Sequence, residues 1–123
     1  MFQLLLVEDN PRFRQTLAEA LYDRFPAIRI IQVDSGEQAL ARAADSALDL
    51  IIMDINLGAK SGLQATRELK KHHPGLEIAL LSSHDLPEYR QAALSFGASC
   101  LISKNEDYAT QISTLLAERL PTH

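Results

Sequence analysis

The chain has 123 residues, of which 46% are hydrophobic and 23% charged, and its formal net charge is −4. This length suits one domain with its own core, and the ordinary composition with a single cysteine, Cys100, excludes a disordered chain, a collagen and a disulfide scaffold. Lys70 and Lys71 are the only basic cluster, which disfavours direct binding of nucleic acid. The apolar runs, such as 4–7 and 50–53, are too short for a membrane span, and the start lacks the basic flank of a secretory signal, so we expect a cytoplasmic protein.

Short apolar runs alternate with segments of helical periodicity from residue 3 to residue 103, which is typical of an α/β domain with a parallel sheet. Several runs are apolar at consecutive positions, as expected of strands that are buried on both faces. The five predicted strands are Gln3 to Val7, Arg29 to Val33, Leu50 to Asp54, Glu77 to Leu81 and Ser99 to Ser103. We therefore predict a β/α unit repeated five times in a single domain, residues 1–123.

The segments between the strands carry helix start signals. Asn10 followed by Pro11 predicts an N-cap with a proline in the first turn, where its missing N–H costs nothing. Three further starts have the spacing of a capping box, in which two side chains three residues apart bond each other's backbone N–H groups. These pairs are Ser35 with Gln38, Ser61 with Gln64, and Asp85 with Glu88. A fifth helix is predicted from about Asp107.

Polar side chains follow the predicted strands at their carboxyl ends. They are Glu8 and Asp9 after the first strand, Asp54 and Asn56 at the third, Ser82 and Ser83 after the fourth, and Lys104 after the fifth. Ligands of open parallel sheets bind beyond the carboxyl ends of the strands, so we expect these side chains to meet there. Any one of them is commonly a helix cap, but the whole set is hard to explain in that way.

The chemistry of this set points to a metal ion and a phosphoryl group. Clustered carboxylates raise one another's pKa unless a cation neutralises them, and oxygen ligands favour Mg²⁺, which commonly binds together with phosphate. Phosphoryl transfer needs a nucleophile and groups that balance the charge on three oxygens. Asp54 is the candidate nucleophile, while Lys104 and the Ser82 hydroxyl are candidates for binding the phosphoryl oxygens.

The ordered set of an acidic pair, an Asp, a Ser and a Lys resembles the receiver domain of two-component response regulators over nearly the whole chain. The spacings are similar to the family's: 45 residues from Asp9 to Asp54, 28 more to Ser82 and 22 more to Lys104. The stretch 97–99, Gly-Ala-Ser, is also family-like. The resemblance implies a doubly wound, flavodoxin-like (βα)5 fold with a five-stranded parallel sheet in the order 2-1-3-4-5.

The resemblance also implies a role for each site residue. Asp54 corresponds to the phospho-acceptor, Ser82 to the switch hydroxyl and Lys104 to the phosphate-binding lysine. The implied ligands of Mg²⁺ are Glu8 and Asp9, directly or through water, with Asp54 and the backbone carbonyl of Asn56. A partner sensor histidine kinase would supply the phosphoryl group, and the only catalysis expected is of the domain's own phosphorylation and dephosphorylation.

The chain departs from the common family pattern in three places. Leu101 replaces the usual aromatic residue three before the lysine, and Leu57 with Gly58 replaces a frequent Met-Pro pair. Asn105 replaces a frequent proline, and it is similar, like the run 81–85, to the subfamily with a helix-turn-helix output domain. DNA binding would then need an output domain that this chain does not contain. We expect phosphorylation to change self-association or partner contacts. One such change would be a homodimer formed through helix four, strand five and helix five.

Two other functions are compatible with the fold class. A small Mg²⁺ phosphohydrolase of the haloacid dehalogenase type also uses an aspartyl phosphate, but it requires a second Asp two residues after the nucleophile, where this chain has Asn56. A constitutive interaction module that is never phosphorylated would not need five intact site side chains. The sequence therefore favours a phosphorylation-controlled switch.

Overall fold

The computed structural model of the chain describes residues 1–84 and 86–120, in which five strands alternate with five helices. In chain order they are β1 Gln3–Val7, α1 Pro11–Arg24, β2 Arg29–Val33, α2 Gly36–Asp45, β3 Leu50–Asp54, α3 Gly62–His72, β4 Glu77–Ser82, α4 Pro87–Ser95, β5 Cys100–Ser103 and α5 Tyr108–Arg119. Two predicted bounds move by one residue, since β4 includes Ser82 and β5 begins after Ser99. No helix in the described part of the chain is long and apolar enough to cross a membrane.

The strands form one parallel sheet in the order β2-β1-β3-β4-β5, which confirms the predicted fold. The register aligns the carboxyl ends of the central strands, because Val7 pairs with Met53 and Asp54 pairs with Leu81. Residues that directly follow these positions in the chain therefore meet at one edge of the sheet.

Consecutive apolar residues of each strand pack into two separate cores because side chains alternate between the faces of a sheet. Leu5 of β1 faces a core with α2, α3 and α4, whereas its neighbours Leu4 and Leu6 face a core with α1 and α5. All three side chains are fully buried. This double burial explains why β3 is apolar from Leu50 to Met53 and has its first polar residue, Asp54, at its last position.

Most predicted helix starts are present. The Asn10 side chain accepts hydrogen bonds from two backbone N–H groups of α1, and Ser61 with Gln64 forms a complete capping box at α3. At α2 only half of the box forms: Ser35 accepts from the Gln38 backbone, but the Gln38 side chain accepts from the N–H of Asp34, one residue earlier than predicted.

The predicted start of the fourth helix needs correction. The proposed cap, Asp85, lies outside the described residues, and the N-cap of α4 is Leu86, which makes no side-chain capping bond. Pro87 then supplies the first helical position, where a proline is well tolerated. At the other end of α4, Gly97 has φ of 106°, in the left-handed region that the residue just past a helix often adopts.

Candidate functional site

Glu8 is a buried carboxylate that follows the last residue of β1, and its side chain is 1% exposed. One carboxylate oxygen accepts a hydrogen bond from Lys104 Nζ at 2.6 Å, and the other accepts from the backbone N–H of Asn10 at 3.1 Å. The Glu8 backbone carbonyl accepts from Arg14 Nη1 of α1 at 2.6 Å. Contacts from α1 and from the far end of the chain therefore fix both the backbone and the side chain of Glu8.

Burial raises the pKa of Glu8 from its usual 4.5 to about 7, because removing a carboxylate from water disfavours the charged form. The hydrogen bonds from Lys104 and from the Asn10 backbone lower the pKa, and the nearby charge of Asp54 raises it further. Glu8 therefore changes its protonation near neutral pH when no metal ion is bound.

Asp54 is the last residue of β3 and is 4% exposed. Its Oδ1 atom accepts from the backbone N–H of Asn56 at 3.1 Å, and its Oδ2 atom accepts from Lys104 Nζ at 2.7 Å. Gly62 at the start of α3 packs directly on the Asp54 backbone, where a β-carbon would lie 2.3 Å from the Asp54 carbonyl oxygen. The carboxylate is therefore held in a fixed orientation at the edge of the sheet.

Lys104 follows β5 and places its ammonium group between the carboxylates of Glu8 and Asp54. Burial lowers the pKa of Lys104, but hydrogen bonds to Asp54 and Glu8 outweigh this effect and raise the pKa above its usual value. The ammonium also lies 4.2 Å from the centre of the Phe13 ring, within range of a cation–π contact. Lys104 thus remains a fixed positive charge beside Asp54.

Glu8, Asp9 and Asp54 form a cluster of candidate metal ligands. One carboxylate oxygen from each lies within 4.8 Å of the others. Asp9 is exposed, so the cluster opens to solvent on one side. Three hard oxygen donors suit a divalent cation such as Mg²⁺, which commonly retains water molecules in its shell. Asn56 follows β3 and is exposed, close in sequence to this cluster.

The Ser82 hydroxyl lies at the same edge of the sheet but is not bonded to the acidic cluster. It is 1% exposed, accepts a hydrogen bond from the His84 backbone N–H at 3.0 Å and donates to the His84 carbonyl at 2.9 Å. The Ser82 carbonyl accepts from the Lys104 backbone N–H at 2.8 Å, which joins the ends of β4 and β5. Both hydrogen bonds of the hydroxyl therefore stabilise the turn that follows β4.

The structure brings Glu8, Asp9, Asp54 and Lys104 together, as the sequence predicted. It adds three residues to which the sequence analysis gave no contact at the site: Phe13 on the Lys104 ammonium, Arg14 on the Glu8 carbonyl, and Asn105, whose side chain donates to the Ser83 carbonyl at 2.7 Å. Nothing in the sequence distinguishes Phe13 from an ordinary apolar helix residue. Arg14 could have been found from its position, because it is a cation one helical turn after the Asn10 cap and therefore lies near the end of β1.

Comparison with known protein families matches residues 4–115 of the chain to the response regulator receiver domain. A transcriptional activator protein of Pseudomonas putida, ExaE, is 35% identical over 101 residues, which are 82% of this chain and 47% of the relative. The transcriptional regulatory protein DegU of Brevibacillus brevis is 30% identical and covers 85% of this chain and 44% of its own length. The chain spans about half the length of these curated relatives.

Solved structures agree with the fold. The response regulator protein TrrA of Thermotoga maritima, in complex with Mg²⁺ and beryllofluoride, superposes with a TM-score of 0.85 at 28% identity, covering 98% of this chain and all of its own. A two-component response regulator of the LuxR family from Aurantimonas has a TM-score of 0.84 at 23% identity, covering 94% of this chain and 83% of its own. The second likeness supports the fold alone.

Proposed function

Because the chain belongs to the response regulator receiver family, we propose that it is a phosphorylation-controlled switch whose acceptor is Asp54, phosphorylated by a partner sensor histidine kinase. The observation that carries this proposal is the pairing of the buried Asp54 carboxylate with Lys104 at 2.7 Å. A nucleophilic carboxylate next to a fixed ammonium, at the open edge of a parallel sheet, is the arrangement that phosphoryl transfer requires.

In the proposed reaction an Asp54 oxygen forms the new bond to phosphorus while the bond between phosphorus and the kinase histidine nitrogen breaks. The Asn56 N–H bonds Oδ1 and restricts rotation of the carboxylate, while Gly62 packs on the Asp54 backbone. Lys104 already bonds Oδ2 and is placed to bind a phosphoryl oxygen after transfer. The protein groups thus orient the nucleophile and balance the charge on the transferred oxygens.

Mg²⁺ would be held by Glu8, Asp9 and Asp54, with the Asn56 carbonyl as a further proposed ligand. When bound, the ion supplies positive charge that offsets the charge of the phosphoryl oxygens. Lys104 supplies a cation to Glu8 and Asp54 in the structure, which explains how two buried carboxylates remain close together. Metal binding requires Glu8 to be ionised, so burial of Glu8 makes the proposed affinity dependent on pH.

The proposed output is a change in contacts of α4, β5 and α5. Phosphate on Asp54 adds acceptor oxygens that would draw the Ser82 hydroxyl away from His84. On the surface of α4, Leu86 is 50% exposed and Leu94 is 60% exposed, so this helix offers apolar contacts to a second copy or a partner. We propose regulation of transcription in the cytoplasm, through an output domain of the kind that the longer relatives' names suggest.

The experiment that tests the acceptor is Asp54→Asn. The variant should lose incorporation of acid-labile phosphate from a small acyl phosphate in Mg²⁺, because an amide is a far weaker nucleophile than a carboxylate. The matched control is Asp45→Asn at the exposed end of α2, which should be phosphorylated like the wild type. Intact-protein mass spectrometry gives the readout, and full phosphorylation of the Asp54 variant would show that the acceptor lies elsewhere.

A further inference from the structure

The route from the site to α4 has no aromatic side chain at position 101. Leu101 is 6% exposed and packs in the core that also contains Leu80 and Ala93. Its carbonyl accepts a hydrogen bond from Arg90 Nη1 at 3.1 Å. A buried leucine has neither a ring nor a hydroxyl that gains from moving between a buried and an exposed position. A link between the site and α4 therefore has to run through other residues.

Asn105 forms a direct bridge between the two loops that flank the site. Its side-chain N–H group donates to the Ser83 carbonyl at 2.7 Å, and its backbone N–H donates to Ser103 Oγ at 3.1 Å. The preceding residue, Lys104, holds Asp54 with its ammonium and holds the Ser82 carbonyl with its backbone N–H. A movement of Lys104 would therefore also move Asn105, which is bonded to the backbone that follows β4.

The backbone after β4 is in turn connected to α4. Ser82 Oγ bonds both the N–H and the carbonyl of His84, and the His84 ring lies 6.0 Å from the ring of Tyr89 in α4. Tyr89 packs on the same core as Leu101. If the Ser82 hydroxyl turned toward a phosphoryl group, the His84 turn would lose both bonds. Among the described residues, the bond from Asn105 to Ser83 would then be the remaining side-chain hydrogen bond between residues 82–84 and another segment.

We propose that Asn105 is a positioning residue that transmits the movement of Lys104 to Ser83 and His84 and thereby to α4. The inference rests on the proposed function, because the movement of Lys104 is the one expected when Asp54 is phosphorylated. Asn105 is exposed and touches neither Asp54 nor the candidate metal ligands in the described contacts, so it affects the output and not the chemistry. The donor N–H group is the essential part of the side chain.

The test uses two Asn105 variants and one control in isotope-labelled protein. Asn105→Asp has the same shape but its carboxylate cannot donate to the Ser83 carbonyl, and Asn105→Ala removes the bond without adding charge. The control, Glu106→Gln, alters the next side chain of the same loop and leaves the bond to Ser83 in place. Amide chemical shifts are recorded with and without beryllofluoride and Mg²⁺. The Asn56 amide, bonded to Asp54, reports occupancy of the site, and the amides of 88–95 report the response of α4.

We expect the Asn56 amide to respond in all four proteins with dissociation constants that agree within about threefold. The mean shift change in α4 should fall by about half or more in both Asn105 variants and stay at the wild-type value in Glu106→Gln. A wild-type α4 response in Asn105→Ala would overturn the inference, as would an equal loss in Glu106→Gln. An unresponsive Asn56 amide in the wild type would instead overturn the proposed function itself.

Discussion

Glu8 couples the stability of the metal-free protein to pH. Its pKa is raised to about 7 in the folded state by burial, so between about pH 4.5 and about pH 7 the folded state binds more protons than the unfolded state. The free energy of unfolding should therefore fall as pH rises through this window. The loss attributable to Glu8 over the whole window should be on the order of 3 kcal/mol, which is the free energy that corresponds to raising its pKa from 4.5 to about 7.

Urea denaturation of the wild type and of Glu8→Gln, in the presence of a chelator, measures this contribution at about pH 5 and about pH 7.5. The difference between the two proteins isolates Glu8 from other titrating groups, such as Glu77, whose bond to Arg119 lowers its pKa and has the opposite effect on stability. Parallel pH profiles of the two proteins would contradict a raised pKa of Glu8.

The three-carboxylate cluster predicts how Mg²⁺ affinity depends on single side chains. Glu8→Gln and Asp9→Asn should each weaken Mg²⁺ binding by about tenfold or more, because each removes one charged ligand from a set of three. Calorimetric titration is the measurement. Asp49→Asn, whose carboxylate bonds the Gln3 backbone at the opposite end of β1, is the matched control and should leave the affinity unchanged. Unchanged binding in both cluster variants would place the metal elsewhere.

At the scale of elements, the packing of α3 on β3 fixes the candidate acceptor. A β-carbon at Gly62 would meet the Asp54 carbonyl oxygen at 2.3 Å and the Ile55 α-carbon at 2.9 Å, and both are backbone atoms that cannot move aside cheaply. Gly62→Ala should therefore lower the free energy of unfolding by about 3 kcal/mol.

Gly75 provides the control for this prediction, because a β-carbon there would have no neighbour within 4 Å. Gly75→Ala should change stability by no more than about 0.5 kcal/mol. Denaturant unfolding compares the two variants. If Gly62→Ala were as harmless as Gly75→Ala, the close contact between α3 and the Asp54 backbone would not be a constraint on the site.

The sequence predicted the elements well wherever a local signal determined them. The strand 50–54 was identifiable because its burial on both faces requires a run of consecutive apolar residues. The capping box of Ser61 and Gln64 was identifiable because its hydrogen bonds join residues close in the chain. The signal failed at α4, where Leu86 takes the cap position without a capping side chain. The sequence predicted that Lys104 and Glu8 lie near each other at the strand ends, but it did not predict their direct hydrogen bond or the bond from Asn105 to Ser83, because these depend on side-chain packing.

At the scale of the whole molecule, the parallel sheet accounts for the convergence of the site. Strands β1, β3 and β5 are far apart in the chain, yet the order of the sheet places their carboxyl ends at one edge. The ammonium of Lys104 consequently donates a hydrogen bond to Glu8, which lies 96 residues earlier in the chain. The resemblance supplied the roles of these residues, and the geometry shows that four of them touch or cluster. The roles themselves stay predictions until phosphorylation and metal binding are measured.

The exposed apolar side chains of α4 lead to a prediction about the assembled state. Leu94 is 60% exposed and lies beside a groove of about 230 Å³ that is also lined by Arg90, Cys100 and Leu101. If phosphorylation promotes self-association through α4, β5 and α5, then Leu94→Asp should weaken the dimer formed with beryllofluoride and Mg²⁺ by about tenfold, because it places an unpaired charge in an apolar contact.

Sedimentation velocity over a range of protein concentrations measures the dimer constant, and the shift of the Asn56 amide verifies that each variant still binds the mimic. Ala20→Asp adds the same charge at an exposed position of α1 and should leave the dimer constant unchanged. If Leu94→Asp dimerises like the wild type, or if the wild type stays monomeric with the mimic bound, then self-association through this face is wrong. The apolar surface of α4 would in that case be available to a different protein.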